Sequence, residues 1–492
     1  MTADASSLVP KTFAEFAQVP WIGYLPPAPS RLLLLSASPS NVPDEGLAEL
    51  GFSIQKVSLC EEGNLAQYPT STRSQIFQVD IALPEFEQAS FDGALLLGLA
   101  PSVHPLALFD QLSNWLTDGA IVVLTGSHQL AVPCRDPNWL QYVFAIAQRM
   151  GYTEEKPENA TALNQSSGEF VRIFRRTSSP RWQLRHVRPE DFDHIADLFV
   201  EVFGEPLSRE LWHWKYGDGR GNAVIAAKHG ELVAHYGGIY REIRLRGTPN
   251  WAFQICDVMV HPKERGVMTR QGPFLLTAAT SAEIYGPFGF GFPNLRAMQV
   301  AEKMGLYSEV GKMASLHWKP SAPGYRVRTR ARALKQDDVA DHKRVNALWE
   351  AMAHDLRNDV VGVRDWQYIE SRYCRHPHHR YEILLVTERF TGRAIGIAVL
   401  RRFIDYCELL DLVLPLAKLS LVIDQVRRVT GVWGLPTLYG WVAKNQAHRF
   451  AQCEAEVGEL NVSIPTSSWT HDIRADIFKE RWWLMSGDTD FR

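Results

Sequence analysis

The chain has 492 residues, 46% of them hydrophobic and 22% charged, with a formal net charge of −3. That length exceeds one ordinary core and implies roughly two to four domains. The composition excludes long disordered tracts, and the charge gives no general attraction to nucleic acid or to an anionic membrane. No apolar run reaches membrane-spanning length. The start, Met1-Thr-Ala-Asp-Ala-Ser-Ser, lacks the basic and apolar segments of a secretory signal. Cys60, Cys134, Cys256, Cys374, Cys407 and Cys453 are scattered without a Cys-x-x-Cys pair. That suits a reducing cytoplasm and suggests neither a disulfide framework nor a metal site.

Taken in chain order, Arg31-Leu-Leu-Leu-Leu35, Ser53–Leu59 and Ala94–Leu97 read as buried strands, and Leu106–Leu116 has helical spacing. Asp118-Gly119 then turns into the strand Ala120–Leu124. Alternating strands and helices over residues 1–176 predict an open, mostly parallel, Rossmann-like α/β sheet. The runs Phe91–Ala100 and Leu116–Leu124 resemble the middle strands of class I S-adenosylmethionine methyltransferases. The turn after the first strand, Ser36-Ala-Ser-Pro-Ser-Asn-Val-Pro, has none of that family's glycines, although Glu61 or Glu62 stands where its ribose-holding acid would. A degenerate scaffold that does not bind S-adenosylmethionine is therefore expected.

Thr177–Arg181 reads as a linker, and a second block runs over 182–320. It opens with a strand and a helix whose apolar positions are 192, 195, 198 and 199, capped near Pro189-Glu-Asp. Strand-like runs follow at 223–227, 232–239, 241–246 and 253–260. Then comes Val258-Met-Val-His-Pro-Lys-Glu-Arg-Gly-Val-Met-Thr-Arg-Gln-Gly-Pro-Phe-Leu-Leu276, an apolar strand, a basic Gly-containing turn and a helix opened by Pro273. A turn of this kind at a helix N-terminus presents free N–H groups to a pyrophosphate. Gly266 and Gly272 allow close backbone approach, and Arg265 and Arg270 supply charge-assisted bonds. A solvated basic turn is the plainer alternative. Phe290-Gly-Phe-Pro-Asn-Leu-Arg-Ala297 follows, and Gly305 closes the next helix.

This order of strands with a basic turn after the fourth or fifth resembles the GCN5-related N-acetyltransferase (GNAT) family over about residues 182–318. The turn departs from the family's usual spacing after its Arg-Gly start. The resemblance implies that acetyl-CoA or another acyl-CoA lies against Val258, Met259 and Val260. Its phosphates would rest on Arg265, Gly266, Val267, Met268, Thr269, Arg270 and Gly272, and Asn294 would reach the pantetheine amides. Asn294 could equally be a helix N-cap. Asp257, on an otherwise apolar strand, would be a desolvated base with His261 as its runner-up, or simply a paired strand carboxylate. The family's tyrosine acid is replaced by Ala301 at the corresponding position, so Tyr307 or Tyr285 would substitute, or the thiolate would leave unassisted. Trp212, Trp214, Tyr216, Phe288, Phe290 and Phe292 would line a pocket or fill a core.

The third block, 323–492, repeats features of the second. Trp214-Lys-Tyr216 is echoed by Ser371-Arg-Tyr373, Ile255-Cys-Asp257 by Leu409-Leu-Asp411, and Asn294 by Asn445. This predicts a second GNAT-like fold whose coenzyme A turn is lost, since Leu414 is followed by Pro415-Leu-Ala-Lys-Leu-Ser. The expected architecture is thus a Rossmann-like sheet followed by two GNAT-like mixed α/β folds. His376-Pro-His-His379 reads as a surface loop. Trp482–Arg492 reads as a docked tail, packed or offering Asp488 or Asp490 to a cationic substrate.

The expected activity is a cytoplasmic acyl-CoA-dependent N-acyltransferase, foremost an N-acetyltransferase, acting on the amine of a small molecule or biosynthetic intermediate. Acyl carrier protein is an alternative acyl source, and membrane and nucleic-acid partners are not expected. Two other readings stand beside it: an aminoacyl-tRNA-dependent transferase of tandem GNAT type, and a non-catalytic scaffold of relic folds.

Overall fold

A computed structural model describes residues 21–36, 44–58, 86–97, 104–127, 139–155, 169–177, 179–265, 272–285, 288–322, 327–469 and 475–490. The chain divides into two compact units. One is Met1–His194 with Val224–His235 and Val260–Tyr285; the other is Ile195–Ala223 with Tyr236–Met259 and Gly286–Arg492. Among the described residues no helix is long and apolar enough to cross a membrane.

In the first unit, strands β1 (Arg31–Ser36), β2 (Ser53–Ser58), β3 (Phe91–Leu97), β4 (Leu116–Ser127), β5 (Tyr152–Glu155) and β6 (Glu169–Arg176) form a sheet of order β2-β1-β3-β4-β6-β5. The pairs β1–β2, β1–β3 and β3–β4 are parallel, whereas β4–β6 and β5–β6 are antiparallel. Helices α1 (Asp44–Glu49), α2 (Pro105–Trp115) and α3 (Trp139–Arg149) connect them. Leu32–Leu35 is buried throughout, as a strand covered on both faces requires. Helix α2 begins at Pro105 and is capped by His104, whose Nδ1 accepts from Ala107 N at 3.3 Å. The turn after β1 and Glu61 and Glu62 lie outside the described residues.

The same unit holds β7 (Gln183–His186), paired antiparallel with β8 (Gly221–Lys228) from Gln183↔Ala227 to His186↔Val224. Between them in sequence a 3-10 turn, Pro189–Asp191, leads into α4 (Phe192–Phe203), of which Phe192–His194 belongs to this unit. Arg185 grips the Asp191 carboxylate with two bonds of 2.7 and 2.6 Å, and Arg188 N adds a third at 2.8 Å. Such a fork fixes the path from strand to helix.

In the second unit, α5 (Arg209–Tyr216) precedes the hairpin of β9 (Glu231–Leu245) and β10 (Thr248–Val260), whose Tyr236–Met259 portion belongs here. Helix α6 (Pro273–Tyr285) of the first unit follows β10 in the chain. Then come β11 (Gly289–Phe290), α7 (Leu295–Lys303), β12 (Tyr307–Trp318), β13 (Thr329–Ala333), α8 (Val339–Asp355), β14 (Val360–Gly362), β15 (Glu382–Glu388), β16 (Ala394–Arg402), β17 (Cys407–Val413), α9 (Leu419–Val432), β18 (Leu438–Ala443), β19 (Glu456–Ser467) and β20 (Trp482–Trp483).

Strand partners are exchanged between the second and third sequence blocks. One sheet path runs β11-β10-β9-β14-β20, so the short strands β14 and β20 extend the β9–β10 hairpin. The other runs β13-β15-β16-β17-β18-β12-β19, with β12 from the second block inserted between two strands of the third. The core of this second sheet is Val345, Leu348, Trp349 and Met352 of α8 and Val422 and Val426 of α9, with Ile397, Val399, Leu409 and Leu412 of the sheet. Here too an arginine fork starts a helix: Arg332 holds Asp341 at 2.7 and 2.6 Å, and Lys335 N adds 3.0 Å.

Candidate active site at a splayed strand pair

Strand β10 pairs in parallel with β11 only through Phe253↔Gly289 and Gln254↔Phe290. Gly291 then passes so close that an added Cβ would stand 3.2 Å from Ile255 O. Beyond it the two segments part. β10 continues to Val260, whereas Asn294 bridges Val462 and Ser463 N donates to Pro293 O. On β10 just past this point, Asp257 has φ of 48°, a left-handed conformation that a strand residue adopts only when its surroundings hold it there. Aspartate tolerates that region better than most side chains.

The surroundings come from α5. Ser208 caps this helix by accepting from Leu211 N at 3.1 Å, and its last turn delivers Lys215 and Tyr216 to Asp257. Lys215 Nζ donates to Asp257 Oδ1 at 2.8 Å, and the Tyr216 hydroxyl donates to Oδ2 at 2.7 Å. Lys215 Nζ also lies 3.6 Å from Asp490 Oδ2. Burial alone would push the Lys215 ammonium down, but the carboxylates of Asp257 and Asp490 outweigh it and hold it above the ordinary lysine range. Burial and then the Asp257 charge push the Tyr216 phenol and the Cys256 thiol well up. Burial also raises the Asp490 carboxyl, against the pull of Lys215. One ammonium therefore stands between two carboxylates, an arrangement able to hold a single proton between them without leaving a net charge buried.

Other sequence-predicted residues fall in different places. Val258 and Val260 are half-buried and Met259 is buried. His261 caps a short 3-10 turn, its Nδ1 accepting from Lys263 N at 3.2 Å while its own N–H donates to Val233 O. Arg265 is exposed and its Nε donates to Val260 O at 2.9 Å, and Gly272 opens α6. Gly266, Val267, Met268, Thr269 and Arg270 lie outside the described residues. Asn294 Oδ1 accepts from Ala297 N at 2.9 Å, so its side chain caps α7. The Tyr307 hydroxyl is buried against that of Tyr236, and burial holds it above the ordinary phenol range. Tyr285 is buried in the first unit.

The aromatic group is spent largely on packing. Phe288 meets Phe478 and Phe290 meets Trp482, with ring centroids 5.5 and 4.8 Å apart. Trp214 Nε1 donates to Ser371 O, and Arg372 lies over its ring. In the histidine loop, His376 Nδ1 accepts from the backbone of His378 and His379, and its ring stacks on His379. Burial, with Arg372 nearby, pushes His376 down to about 3. Cys256, Asp257 and Asp490 are spaced closely enough to hold a cation, and Lys215 supplies one.

Sequence reading singled out Asp257 but not its two partners. The echo carried half of the signal: the tyrosine recurs in the matching place, whereas the third block takes its cation from Arg364, outside the echoed segment. Its Tyr373 hydroxyl donates to Asp411 Oδ2 at 2.9 Å, and Arg364 Nε donates to Oδ1 at 2.8 Å. Strand β17 pairs with β18 only from Cys407↔Leu438 to Leu409↔Gly440. The pairing of β16 with β17 slips around Leu410, directly before Asp411. Burial raises the Asp411 carboxyl while Arg364 opposes the rise.

Residues 183–292 match the family described as Acetyltransferase (GNAT) domain. No curated protein matches the chain. Among solved structures, a probable N-acyltransferase from Enterococcus faecalis V583 is 13% identical over 58% of this chain and 73% of its own, with a TM-score of 0.46. A GCN5-related N-acetyltransferase from Kribbella flavida is 16% identical over 58% and 71%, with a TM-score of 0.42. The Saccharomyces cerevisiae N-myristoyltransferase with bound myristoyl-CoA is 10% identical over 64% and 83%, with a TM-score of 0.39. Residues 183–292 thus match a GNAT acetyltransferase domain, and that match supports an acyltransferase enzyme.

Proposed function

We propose that the chain transfers an acyl group from an acyl-coenzyme A thioester to an amine, with the 182–320 block as the acting half. The observation that carries this is the splay: within the matched domain, β10 runs on past its last pair with β11 and leaves an edge beside Asp257. A strand edge offers the alternating N–H and C=O groups that the two amides of a pantetheine arm need. Gly291 is the point at which the strands must touch before they part. Val258, Met259 and Val260 would hold the arm, and the segment opening at Arg265, next in the chain, would hold the pyrophosphate.

The thioester supplies an electrophilic carbonyl. The amine nitrogen forms a bond to that carbon, the C–S bond breaks, and the thiolate leaves with the electron pair. The ammonium proton must go first, and Asp257 is our candidate acceptor. Both of its oxygens already accept, so taking a proton weakens its pairing with Lys215. Asp490, 3.6 Å from the same ammonium, keeps that charge balanced. His261, capping its own turn, is the weaker candidate base. Tyr307, held by Tyr236, is the candidate acid for the thiolate.

Finer features of the architecture fit this reading. The shared arginine fork, splay and Asp–Tyr–cation contact support a tandem pair of GNAT-like folds. The parallel strands with an antiparallel edge pair support a methyltransferase-like scaffold in the first block.

The test is calorimetric titration of the full chain with coenzyme A, followed by thiol-release assays with acetyl- and longer acyl-CoA against a panel of amines. The expected result is binding, and turnover that Asp257→Asn abolishes while binding persists. A folded chain that binds no coenzyme A would sink the proposal.

A further inference from the structure

Strand β18 has two edges. One is paired with β12 along its whole length, from Met313↔Ala443 to Trp318↔Leu438. The other is paired with β17 only as far as Gly440, where an added Cβ would stand 2.9 Å from Leu409 O. This is the geometry of Gly291 and Ile255 again, and beyond it β17 and β18 part in the same way. A cleft between parting strands leaves backbone groups that need partners.

Here the chain supplies them from its own end. Ala443 N donates to Leu484 O at 2.9 Å, Val442 and Met485 form an antiparallel bridge, and Trp441 N donates to Ser486 Oγ at 2.7 Å. Against the opposite wall, Gly487 lies so near the Tyr373 hydroxyl and Leu410 O that no side chain fits. Arg372 donates to the carbonyls of Gly487 and Thr489 at 3.0 and 2.5 Å. Arg364, already on Asp411, donates to Asp488 Oδ2 at 2.5 Å. Leu484, Met485, Ser486 and Asp488 are all buried.

We propose that Leu484–Asp488 is the built-in occupant of this second cleft, held there by the contacts that the amide-bearing arm of a thioester donor would make in the first. A pantetheine arm is a thin chain of amides, and a peptide with a glycine at its narrowest point satisfies the same groups. Each chain then takes one coenzyme A-type donor, not two. The stoichiometry rests on reading the first splay as the donor site, whereas the occupancy of the second cleft does not.

Hydrogen exchange on the full chain, with and without saturating coenzyme A, tests the two separately, and calorimetry gives the stoichiometry. Without ligand, the amides of Trp441–Ala443 and Met485–Asp488 should exchange at least about 100-fold more slowly than in an unfolded reference. Coenzyme A should leave them unchanged and slow exchange along 253–260, with one equivalent bound. Fast exchange at Trp441–Ala443 in the free chain, a ligand-dependent change there, or two equivalents bound would overturn the proposal. If no coenzyme A binds, the donor reading falls, and the exchange of the free chain still decides who occupies the second cleft. Gly487→Val, which places a side chain where none fits, should speed exchange at Ala443 and the tail together; slow exchange at both would contradict the assigned contact.

Discussion

Replacing Lys215 by methionine keeps the stem of the side chain and removes the ammonium between Asp257 and Asp490. Lys215 is 5% exposed, the Asp257 side chain is 6% exposed, and their atoms are 2.8 Å apart. Breaking a buried ion pair from one side costs about 3–5 kcal/mol, because the other charge is left in the interior. Adding Asp257→Asn should return part of that loss, with a coupling of about 0.5–3 kcal/mol. The pH dependence has a definite sign. Without the ammonium, nothing opposes the burial that lifts the Asp490 carboxyl above its unfolded value of about 3.9. The penalty is then absent below about pH 4 and grows as pH rises through the folded value. Because a chain of two units need not unfold in one step, the free energy should be read locally, from hydrogen exchange of the 253–259 segment across pH. A loss under about 1 kcal/mol that does not vary with pH would refute the account of this cluster.

Gly440→Ala must push its Cβ away from Leu409 O, 2.9 Å from the ideal position, so it should destabilise the β17–β18 pair by about 1–3 kcal/mol. Exchange of the Cys407–Leu409 amides would show it. Burial, then Arg188 and Arg185, pushes His186 down to about 4. Its folded pKa lies below the unfolded value near 6.5, so its contribution is complete above about pH 6.5 and is lost as pH falls through about 4. His186→Gln should remove roughly 2–4 kcal/mol of that acid-side loss from the first unit, seen as a flatter exchange profile of β7 and β8; an unchanged profile would contradict it.

Much of the fold was legible because it rests on local pattern. The apolar runs Leu32–Leu35 and Ala94–Leu97 lie in strands β1 and β3 and are buried throughout. The apolar positions 192, 195 and 198 lie on one helix, and all three are buried. Strand exchange was not legible. β12 follows α7 in the chain yet pairs with β18 and β19, and nothing in its own alternation names so distant a partner. Of the site, Asp257 was visible as an acid on an apolar strand, whereas Lys215 stood out only within an echoed motif and Tyr216 only as one of a group of pocket or core aromatics. Periodicity reports which face is buried, not which carboxylate a helix end will meet. Asn294 shows the converse, since a residue whose chemistry suits a ligand is held by its own helix as a cap.

The recurrence of the Asp–Tyr–cation set separates holding from catalysis. The third block has no Arg-Gly turn after β17, and its splay is filled by the tail, yet it keeps Asp411, Tyr373 and a buried cation. Asp411 and Arg364 are both 0% exposed. The set therefore has a task independent of chemistry: it stabilises the strand irregularity from which each splay begins, at Asp257 with its φ of 48° and around Leu410 beside Asp411. Any catalytic role of Asp257 is added to that task, and paired variants can tell the two apart. Asp411→Asn should destabilise the third block by several kcal/mol, about the 3–5 expected when Arg364 loses a buried partner. It should leave kcat unchanged at temperatures where the chain stays folded. Asp257→Asn should cost less stability, because Lys215 keeps Asp490, but should lower kcat by about 100-fold or more, as loss of a general base does. Equal stability losses with kcat intact in both would leave Asp257 a structural residue and return the search for a base to His261.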